Sequence, residues 1–384
     1  MSKRKNASDK SESVAEGSPS PKLASIFVNP SQRLNGLWKV IPNQLLIYSV
    51  DGTENRPKIA AFDLDGTLIR TKSGNTFAKN CDDWQFWSGK VIGALRKCTS
   101  EGFKVCIFTN QKGILKGHVD AGQFKRKVQN IVNAIGVPLQ VFVSLGTPNF
   151  RKPFVGMWQK MESEENGEVR VIREDSFYVG DAAGRLKSSI RPKNDHSCAD
   201  RLFALNLSLP FQTPEQFFSK VSAEEPFRLP EFNPSQFLRE HSVTQMISKC
   251  PALLSPNFCC SSVRPPPAKA PFARRFRSEY TILSQDERDF CALAASLRLS
   301  CRCLLFACSP AHALHNNAFR KVIAGGEADR THENVTEVAI RTFFAAYQKP
   351  TEAEGFSEII QVKFVPEFER EEHRQIYGMY LLEK

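Results

Sequence analysis

A short apolar stretch that ends in two aspartates constrains the fold of this chain more than any other feature. Residues 59–62 form a continuous apolar run followed by turn-forming residues, which predicts a buried strand of a parallel sheet. Asp63 and Asp65 follow the run two residues apart, so an extended chain would point both carboxylates to the same side. Gly66 allows a sharp turn there. Because open α/β sheets bind ligands beyond the carboxyl ends of their strands, we expect a site at this point.

The two carboxylates repel each other unless a cation lies between them or one of them is protonated. The pair therefore favours a bound divalent cation together with a nucleophile and a proton donor. For two aspartates at this spacing taken alone, a simple turn after a strand is the alternative. The complete string at 63–68, Asp-Leu-Asp-Gly-Thr-Leu, is much more specific after an apolar strand, and it favours the catalytic interpretation.

Further along the chain, apolar runs that predict strands alternate with stretches of helical periodicity. The runs lie at 59–62, 105–111, 139–145, 177–184 and 202–207. This alternation predicts an α/β fold, a Rossmann-like parallel sheet with helices on both faces. Four polar residues lie near the ends of these elements: Thr109, Lys152, Asp181 and Asp200. Thr109, Lys152 and Asp181 taken singly could be a cap, a solvated lysine and a turn former, but their joint positions favour one shared site. Asp200 could support that site or form a salt bridge, and an aspartate beside a strand is more commonly structural.

Composition narrows the class of protein. The chain has 384 residues, 41% hydrophobic and 24% charged, which suits a globular protein with room for two domains. The sequence contains no apolar run of the ~20 residues that span a bilayer, so we expect no membrane partner. A net charge of +11 and a pI of about 9.1 favour a polyanionic partner such as nucleic acid. The 11 cysteines include no Cys-x-x-Cys pair, and we interpret them as reduced thiols.

These motifs resemble those of a known family. The stretch at 62–69 contains the string at 63–68, which resembles motif one of the haloacid dehalogenase-like phosphohydrolases. Together with the stretches at 108–113, 151–153, 178–184 and 200–206, it resembles the phosphatase domain of the eukaryotic polynucleotide kinase 3′-phosphatases. The resemblance covers about residues 36–235. It implies a haloacid dehalogenase-like fold and an enzyme that heals DNA strand breaks by removing 3′-phosphates.

The resemblance also implies catalytic roles. Asp63 would attack phosphorus and form an aspartyl-phosphate. Asp65 would protonate the leaving oxygen and then deprotonate the attacking water. Thr109 would bind a phosphate oxygen through its hydroxyl and nearby backbone amides, and Lys152 would neutralise charge on the phosphate and on Asp63.

The cofactor that the resemblance implies is Mg²⁺. Asp63, the backbone carbonyl of Asp65 and Asp181 would hold the ion with waters, since Mg²⁺ prefers oxygen ligands and few protein groups. Asn110 and Asp200 are candidates for supporting roles at the same site.

The C-terminal part resembles later segments of the kinase domain of the same family. The similar stretches are 301–306, 315–320 and 347–356. Arg320 matches the family's lid arginine, which contacts ATP phosphates. Residues 235–300 contain no Gly-x4-Gly-Lys-Ser/Thr P-loop, and the segment with the family's aspartate base is also missing from the sequence. We therefore expect an incomplete P-loop-kinase-like α/β domain without 5′-kinase activity. Loss of the kinase and a mis-spliced or mispredicted segment at about 240–284 are both open explanations.

These observations predict five segments. They are a disordered tail at 1–30, a haloacid dehalogenase-like phosphatase domain at 31–236, an irregular linker at 237–284, a kinase-like remnant at 285–366 and a charged, peripheral tail at 367–384. Strand-break repair scaffold proteins are candidate partners. The family's N-terminal phosphopeptide-binding module is not found in the predicted tail, which argues against recruitment by that route.

Three functions are compatible with the sequence. The first is a Mg²⁺-dependent 3′-phosphatase that acts on DNA ends, which we expect in the nucleus and as a monomer. The second is a haloacid dehalogenase-like phosphatase for small phosphate esters, against which the basic charge argues only mildly. The third is a non-catalytic DNA-end binding protein, against which the complete set of site residues argues.

Overall fold

The computed structural model describes residues 33–189, 191–240, 258–261, 281–282, 291–292, 295–324 and 335–383. The predicted disordered tail at 1–30 lies outside these residues. In the part of the chain that the structure describes, no helix combines the length and the apolar character needed to cross a bilayer.

A seven-stranded sheet organises the N-terminal half. The strands of this half are β1 Gly36–Ile41, β2 Leu45–Val50, β3 Lys58–Phe62, β4 Ile69–Arg70, β5 Gln85–Phe86, β6 Phe103–Asn110, β7 Gln140–Ser144, β8 Phe177–Val179 and β9 Phe211–Gln212. The sheet order is β1-β2-β7-β6-β3-β8-β9, and β4 pairs with β5 in a separate two-stranded ribbon. Strands β7, β6, β3, β8 and β9 are parallel, whereas β1 and β2 extend the sheet as antiparallel strands. The predicted α/β fold is confirmed.

Helices cover both faces of this sheet. They are α1 Val91–Ser100, α2 Lys112–Leu115, α3 Ala121–Ile135, α4 Gly156–Glu164, α5 Ala199–Leu207, α6 Pro214–Ser219 and α7 Pro234–Glu240. Side chains of β3 alternate between two apolar clusters: Ala60 and Phe62 pack with α1 and α3, whereas Ile59 and Ala61 pack with α4 and α5. Burial on both faces explains why the run at 59–62 is continuously apolar.

Local signals in the sequence explain where several helices begin. Asp120 caps α3 by accepting a hydrogen bond from the Gln123 N–H. Helix α6 begins at a reciprocal capping box formed by Thr213 and Gln216, with Pro214 at the first helical position.

The fifth strand that the sequence predicts at 202–207 is wrong. These residues belong to helix α5, and the fifth parallel strand is the short β9. Phe203 and Leu207 are buried one helical turn apart, while Leu205 between them is 47% exposed. A strand would place all three side chains on one face, so the burial pattern fits only a helix. Asp200 consequently lies in the first turn of a helix rather than before a strand.

A second parallel sheet organises the C-terminal half. Its strands are β10 Phe258–Ser261, β11 Thr281–Ile282, β12 Cys301–Ala307 and β13 Glu358–Lys363, in the order β11-β10-β12-β13. The helices here are α8 Pro310–Ile323, α9 Glu337–Ala346 and α10 Glu371–Tyr377, with a 3₁₀ turn at Glu352–Glu354. The α/β prediction for this half is confirmed, whereas its kinase origin stays a prediction.

Two predictions about irregular segments need correction. The linker predicted at 237–284 contains β10 and β11, and β10 lies between β11 and β12 in the second sheet. These strands are too short for their periodicity to stand out among Ser- and Pro-rich residues. The tail predicted as peripheral at 367–384 contains α10, whose Tyr377 is buried. Because most of the segment is charged, its sequence pattern did not indicate the few side chains that are buried.

Candidate active site

An ion pair at the carboxyl end of the first sheet joins Asp63 to Lys152. Asp63 directly follows β3, and its N–H donates to the Val179 carbonyl at 2.9 Å, which continues the sheet pairing with β8. Lys152 precedes α4, and its Nζ lies 2.7 Å from Asp63 Oδ1. Lys152 is only 2% exposed, so this ion pair is enclosed by protein. Such a pair persists only where further hydrogen bonds satisfy both partners.

Further groups of the protein surround the Lys152 ammonium. Its Nζ also donates to the Phe108 carbonyl at 2.7 Å and to Asp200 Oδ1 at 2.7 Å, and it lies 2.9 Å from the Tyr178 hydroxyl. Burial alone would lower the pKa of Lys152, but the charges of Asp200 and Asp63 outweigh burial and raise the pKa. Lys152 therefore stays an ammonium at neutral pH.

Asn110 fixes the backbone of Lys152. Its Oδ1 accepts from the Lys152 N–H at 3.0 Å, and its Nδ2 donates to the Lys152 carbonyl at 3.1 Å. Asn110 ends β6, so this double contact ties the Lys152 segment to the sheet. The supporting role of Asn110 stays a prediction, and this pairing is the contact through which Asn110 would act.

Three carboxylates converge on the same point. Ligand oxygens of Asp63, Asp181 and Asp200 all lie within 4.8 Å of one another. Burial, reinforced by Asp200 and Asp65 and opposed by Lys152, raises the pKa of Asp63 to about 7. Burial, followed by the charges of Asp63 and Asp200, also raises the pKa of Asp181 well above its usual range. If all three carboxylates were ionised, one ammonium would leave an excess of negative charge, which a divalent cation with a preference for oxygen ligands would offset in place of bound protons.

Both carboxylate oxygens of Asp200 accept hydrogen bonds from protein groups. Oδ1 accepts from Lys152 and, at 3.0 Å, from the Tyr178 hydroxyl, and Oδ2 accepts from the Ala182 N–H at 2.9 Å. A Cβ on Gly180 would lie 2.4 Å from the Cβ of Asp200, so only glycine allows β8 to approach this side chain. This arrangement favours a role for Asp200 in holding Lys152 and the loop after β8.

Asp65 lies at the solvent side of the site. Its side chain is 50% exposed. Oδ2 accepts from Gln111 Nε2 at 2.6 Å, and Oδ1 lies 3.1 Å from Lys127 Nζ. Gln111 Nε2 also donates to Thr109 Oγ1 at 2.9 Å, which links Asp65 to the buried Thr109. An exposed carboxylate fixed at two points is suited to exchanging protons with an incoming substrate.

The structure thus brings most of the predicted site residues together. The carboxylate cluster contains Asp63, Asp181 and Asp200 with Lys152, while the carboxylate of Asp65 is outside it. Arg320, the predicted ATP-lid residue, lies in α8, where its Nη2 donates to Asn317 Oδ1 at 3.3 Å. Its role toward ATP stays a prediction.

Three residues at the site were not predicted from sequence: Gln111, Lys127 and Tyr178. Gln111 follows Thr109 by two residues, and this spacing could have identified Gln111 as a residue of the site. Lys127 is buried in the apolar face of α3 beside Phe124 and Val128, so a lysine in that stripe was a second signal. Tyr178 lies within an apolar strand and gave no such signal.

Comparisons with known proteins agree with this geometry. A sequence profile described as Polynucleotide kinase 3 phosphatase matches residues 58–218. An "Uncharacterized 20.8 kDa protein in FGF-VUBI intergenic region" of Autographa californica nuclear polyhedrosis virus is 42% identical over 181 residues, which are 47% of this chain and 96% of the viral protein.

Two further relatives carry functional names. The "Bifunctional polynucleotide phosphatase/kinase" of Schizosaccharomyces pombe is 27% identical over 369 residues, which cover 87% of this chain and 86% of that protein. The "Polynucleotide 3'-phosphatase ZDP" of Arabidopsis thaliana is 33% identical over 200 residues, which cover 47% of this chain and 27% of that protein. The fold, the clustered site residues and these similarities lead to one conclusion: the chain belongs to the polynucleotide kinase 3 phosphatase family.

Proposed function

We propose that this protein hydrolyses 3′-phosphates at the ends of DNA strands, with Asp63 as the nucleophile. The observation that carries the proposal is the buried Lys152 Nζ, 2.7 Å from Asp63 Oδ1, inside a cluster that includes Asp181 and Asp200. The family's name and those of the fission yeast and Arabidopsis relatives support the substrate class.

In the first step, Asp63 attacks the phosphorus of the terminal phosphate. Lys152 donates to Oδ1, and we assign the attack to the other oxygen, Oδ2. The new bond joins this oxygen to phosphorus, and the bond from phosphorus to the 3′-oxygen breaks. Asp65 donates its proton to that oxygen, which leaves as the free 3′-hydroxyl. Thr109, held through Gln111 next to Asp65, offers its hydroxyl to a phosphate oxygen.

In the second step, water attacks the aspartyl-phosphate. The ionised Asp65 takes a proton from the water, the bond between Asp63 and phosphorus breaks, and inorganic phosphate leaves. Lys152 stabilises the carboxylate of Asp63 as it returns. Gln111 and Lys127 hold the carboxylate of Asp65 in place for both proton transfers.

The carboxylate cluster fits Mg²⁺ as cofactor. Asp63 and Asp181, with the backbone carbonyl of Asp65, would hold the ion, and the excess negative charge of the cluster supports a divalent cation. When bound, the ion supplies positive charge that stabilises the phosphate oxygens during transfer.

The proposed substrate and cellular compartment are inferred from the net charge of the chain and from its similarity to the named relatives. The net charge of +11 favours binding of a polyanion over a small ester. A DNA end-healing enzyme would act in the nucleus, and the proposed chemistry needs only one copy of the chain. Without a P-loop in its sequence, the second half would not transfer phosphate from ATP to a 5′-hydroxyl.

A phosphate-release assay tests the proposal. The substrates are a 3′-phosphorylated oligonucleotide and p-nitrophenyl phosphate, with Mg²⁺ present. The variants are Asp63→Asn and, as a matched control, Asp175→Asn at an exposed aspartate before β8. We expect release from the oligonucleotide by the wild type and the control but not by Asp63→Asn. Equal release by all three would refute the nucleophile, and a preference for the small ester would refute the substrate class.

A further inference from the structure

The last described residues of the chain contact the phosphatase half. We define residues 378–383 as the C-terminal strap. Glu383 is its main contact: Oε1 lies 2.5 Å from Arg151 Nη2, and Oε2 accepts from the Ser197 hydroxyl at 3.1 Å. The Glu383 carbonyl also accepts from the Cys198 N–H at 3.2 Å. One residue of the strap therefore joins the segment before α4 to the segment before α5.

A second contact of the strap also connects the region of α5 to the segment before α4. The Tyr380 N–H donates to Asn206 Oδ1 at 2.8 Å, and Asn206 Nδ2 donates to the Tyr380 carbonyl at 2.8 Å. The same Nδ2 donates to the Pro153 carbonyl at 2.9 Å. Asn206 lies in α5, so here too the strap, α5 and the segment before α4 meet.

These two segments carry the residues that control the nucleophile. Arg151 and Pro153 flank Lys152 in the sequence, and Asp200 follows Cys198 by two residues. Inside the site, Lys152 Nζ and Asp200 Oδ1 join the same two segments at 2.7 Å. The strap therefore contacts both segments outside the site and connects them. The distance between these segments sets the position of the Lys152 ammonium.

The other end of the strap is anchored in the second half. Tyr377 immediately precedes it and is buried, and its hydroxyl donates to Asn316 Oδ1 at 2.7 Å. His312 Nε2 lies 2.8 Å from the same hydroxyl, and His315 Nε2 lies 2.9 Å from the Tyr377 carbonyl. The three partners belong to α8, so the strap runs from α8 to the phosphatase site.

We infer that Glu383 is a positioning residue of the phosphatase site, and that the C-terminal strap makes phosphatase turnover depend on the second half of the chain. This inference rests on the proposed function for its catalytic readout. It gives the kinase-like half a role that needs no ATP: it holds the strap, and the strap holds the Lys152 and Asp200 segments together.

Turnover per active site separates positioning from simple stabilisation. We expect Glu383→Ala to lower kcat on the 3′-phosphorylated oligonucleotide by about tenfold with KM nearly unchanged, because small displacements of catalytic groups cost up to ~10²-fold. The control is Glu372→Ala, an exposed glutamate of α10 with the same charge, which should keep wild-type kcat. Glu383→Gln, which keeps an acceptor for Ser197, should recover part of the loss.

A double variant tests whether Arg151 and Glu383 act as one unit. Arg151→Ala should reproduce the kcat loss of Glu383→Ala, and combining the two should add little further loss. Wild-type kcat in Glu383→Ala, or losses that multiply in the double variant, would overturn the inference.

Amide hydrogen exchange provides a readout that does not require activity. In the full chain carrying Glu383→Ala, we expect faster exchange than in the wild type at the Cys198 amide, which donates to the carbonyl of residue 383, and at the Lys152 amide. If the wild type released no phosphate, the proposed function would fail, and exchange alone would decide the inference. Unchanged exchange at both amides would overturn it.

Discussion

Gly66 and the carboxylate of Asp181 approach so closely that no side chain fits between them. A Cβ on Gly66 would lie 2.4 Å from Asp181 Oδ2. Gly66 also has a φ of +89°, in the left-handed region that favours glycine. The turn after β3 can therefore touch the loop after β8, which lets Asp181 lie beside Asp63.

Replacing this glycine should disable the site. Gly66→Ala adds a methyl group that must displace the Asp181 carboxylate, so we predict that kcat falls by about 10²-fold. Gly102→Ala is the matched control, because Gly102 has a φ of +82°, but among the described residues no heavy atom beyond its chain neighbours lies within 4 Å of an added Cβ. Both variants should lose about 1–2 kcal/mol of folding free energy from backbone strain, measured by urea unfolding. Equal kcat in the two variants would show that the contact with Asp181 is unimportant.

The stability of the metal-free protein should fall as the pH rises. The folded protein raises the pKa of Asp63 from 3.8 to about 7, so within this window the folded state binds a proton that the unfolded state has released. Stability is then greatest at the acidic end and is lost as the pH approaches the raised pKa. We predict a lower urea midpoint at about pH 8 than at about pH 5 in the presence of a chelator.

Mg²⁺ should reverse that loss, since a cation held by the proposed site would bind the ionised carboxylates of the folded state. The rise in the urea midpoint on adding Mg²⁺ should be larger at the higher pH. Asp63→Asn should reduce both the pH dependence and the response to Mg²⁺. An Mg²⁺ response that is the same at both pH values would contradict the assignment of the cluster as a cation site.

Removing the buried ammonium should cost both stability and activity. Lys152→Met leaves Asp63 and Asp200 without their cation, and breaking a buried ion pair costs about 3–5 kcal/mol. We predict that urea unfolding without metal will show this loss of folding free energy. Phosphate release should also be lost. Lys97→Met is the control, because Lys97 in α1 forms an exposed pair with Glu101, and exposed pairs contribute about 0–1 kcal/mol. Similar losses in the two variants would argue against a special role for Lys152.

Asp181 and Asp200 should respond differently when their charge is removed. Asp181→Asn removes a proposed ligand, so we predict that half-maximal activity requires about tenfold more Mg²⁺, equivalent to ~1.4 kcal/mol of binding. Asp200→Asn should instead lower kcat with a smaller change in Mg²⁺ requirement, because both of its oxygens are engaged by protein donors. Titration of activity against Mg²⁺ measures both quantities. The reverse pattern would make Asp200 the metal ligand.

The fold around the nucleophile was predictable because its signals are local. The apolar run at 59–62, the turn at Gly66 and the capping residues of α6 each depend on neighbours in sequence. The run at 202–207 was misread, since a short apolar segment has no periodicity that separates a buried strand from a buried helix.

The parts of the site that could not be predicted depend on contacts between distant segments. Asp65 and Lys127 are 62 residues apart, and Cys198 and Glu383 are 185 residues apart. A buried lysine in α3 and a glutamate near the chain end have the same sequence signature as solvated charges. Only the packing of the elements that carry them assigns them to the site.

Chemical trapping of the phosphorylated enzyme tests the central proposal most directly. After rapid mixing of the wild-type protein with a 3′-phosphorylated oligonucleotide and Mg²⁺, borohydride reduces an aspartyl-phosphate to homoserine, which peptide mass spectrometry can locate. We predict homoserine at position 63 in the wild type and none there in Asp63→Asn. Homoserine at another aspartate, or rapid phosphate release with no trapped residue, would contradict the assignment of Asp63 as the nucleophile.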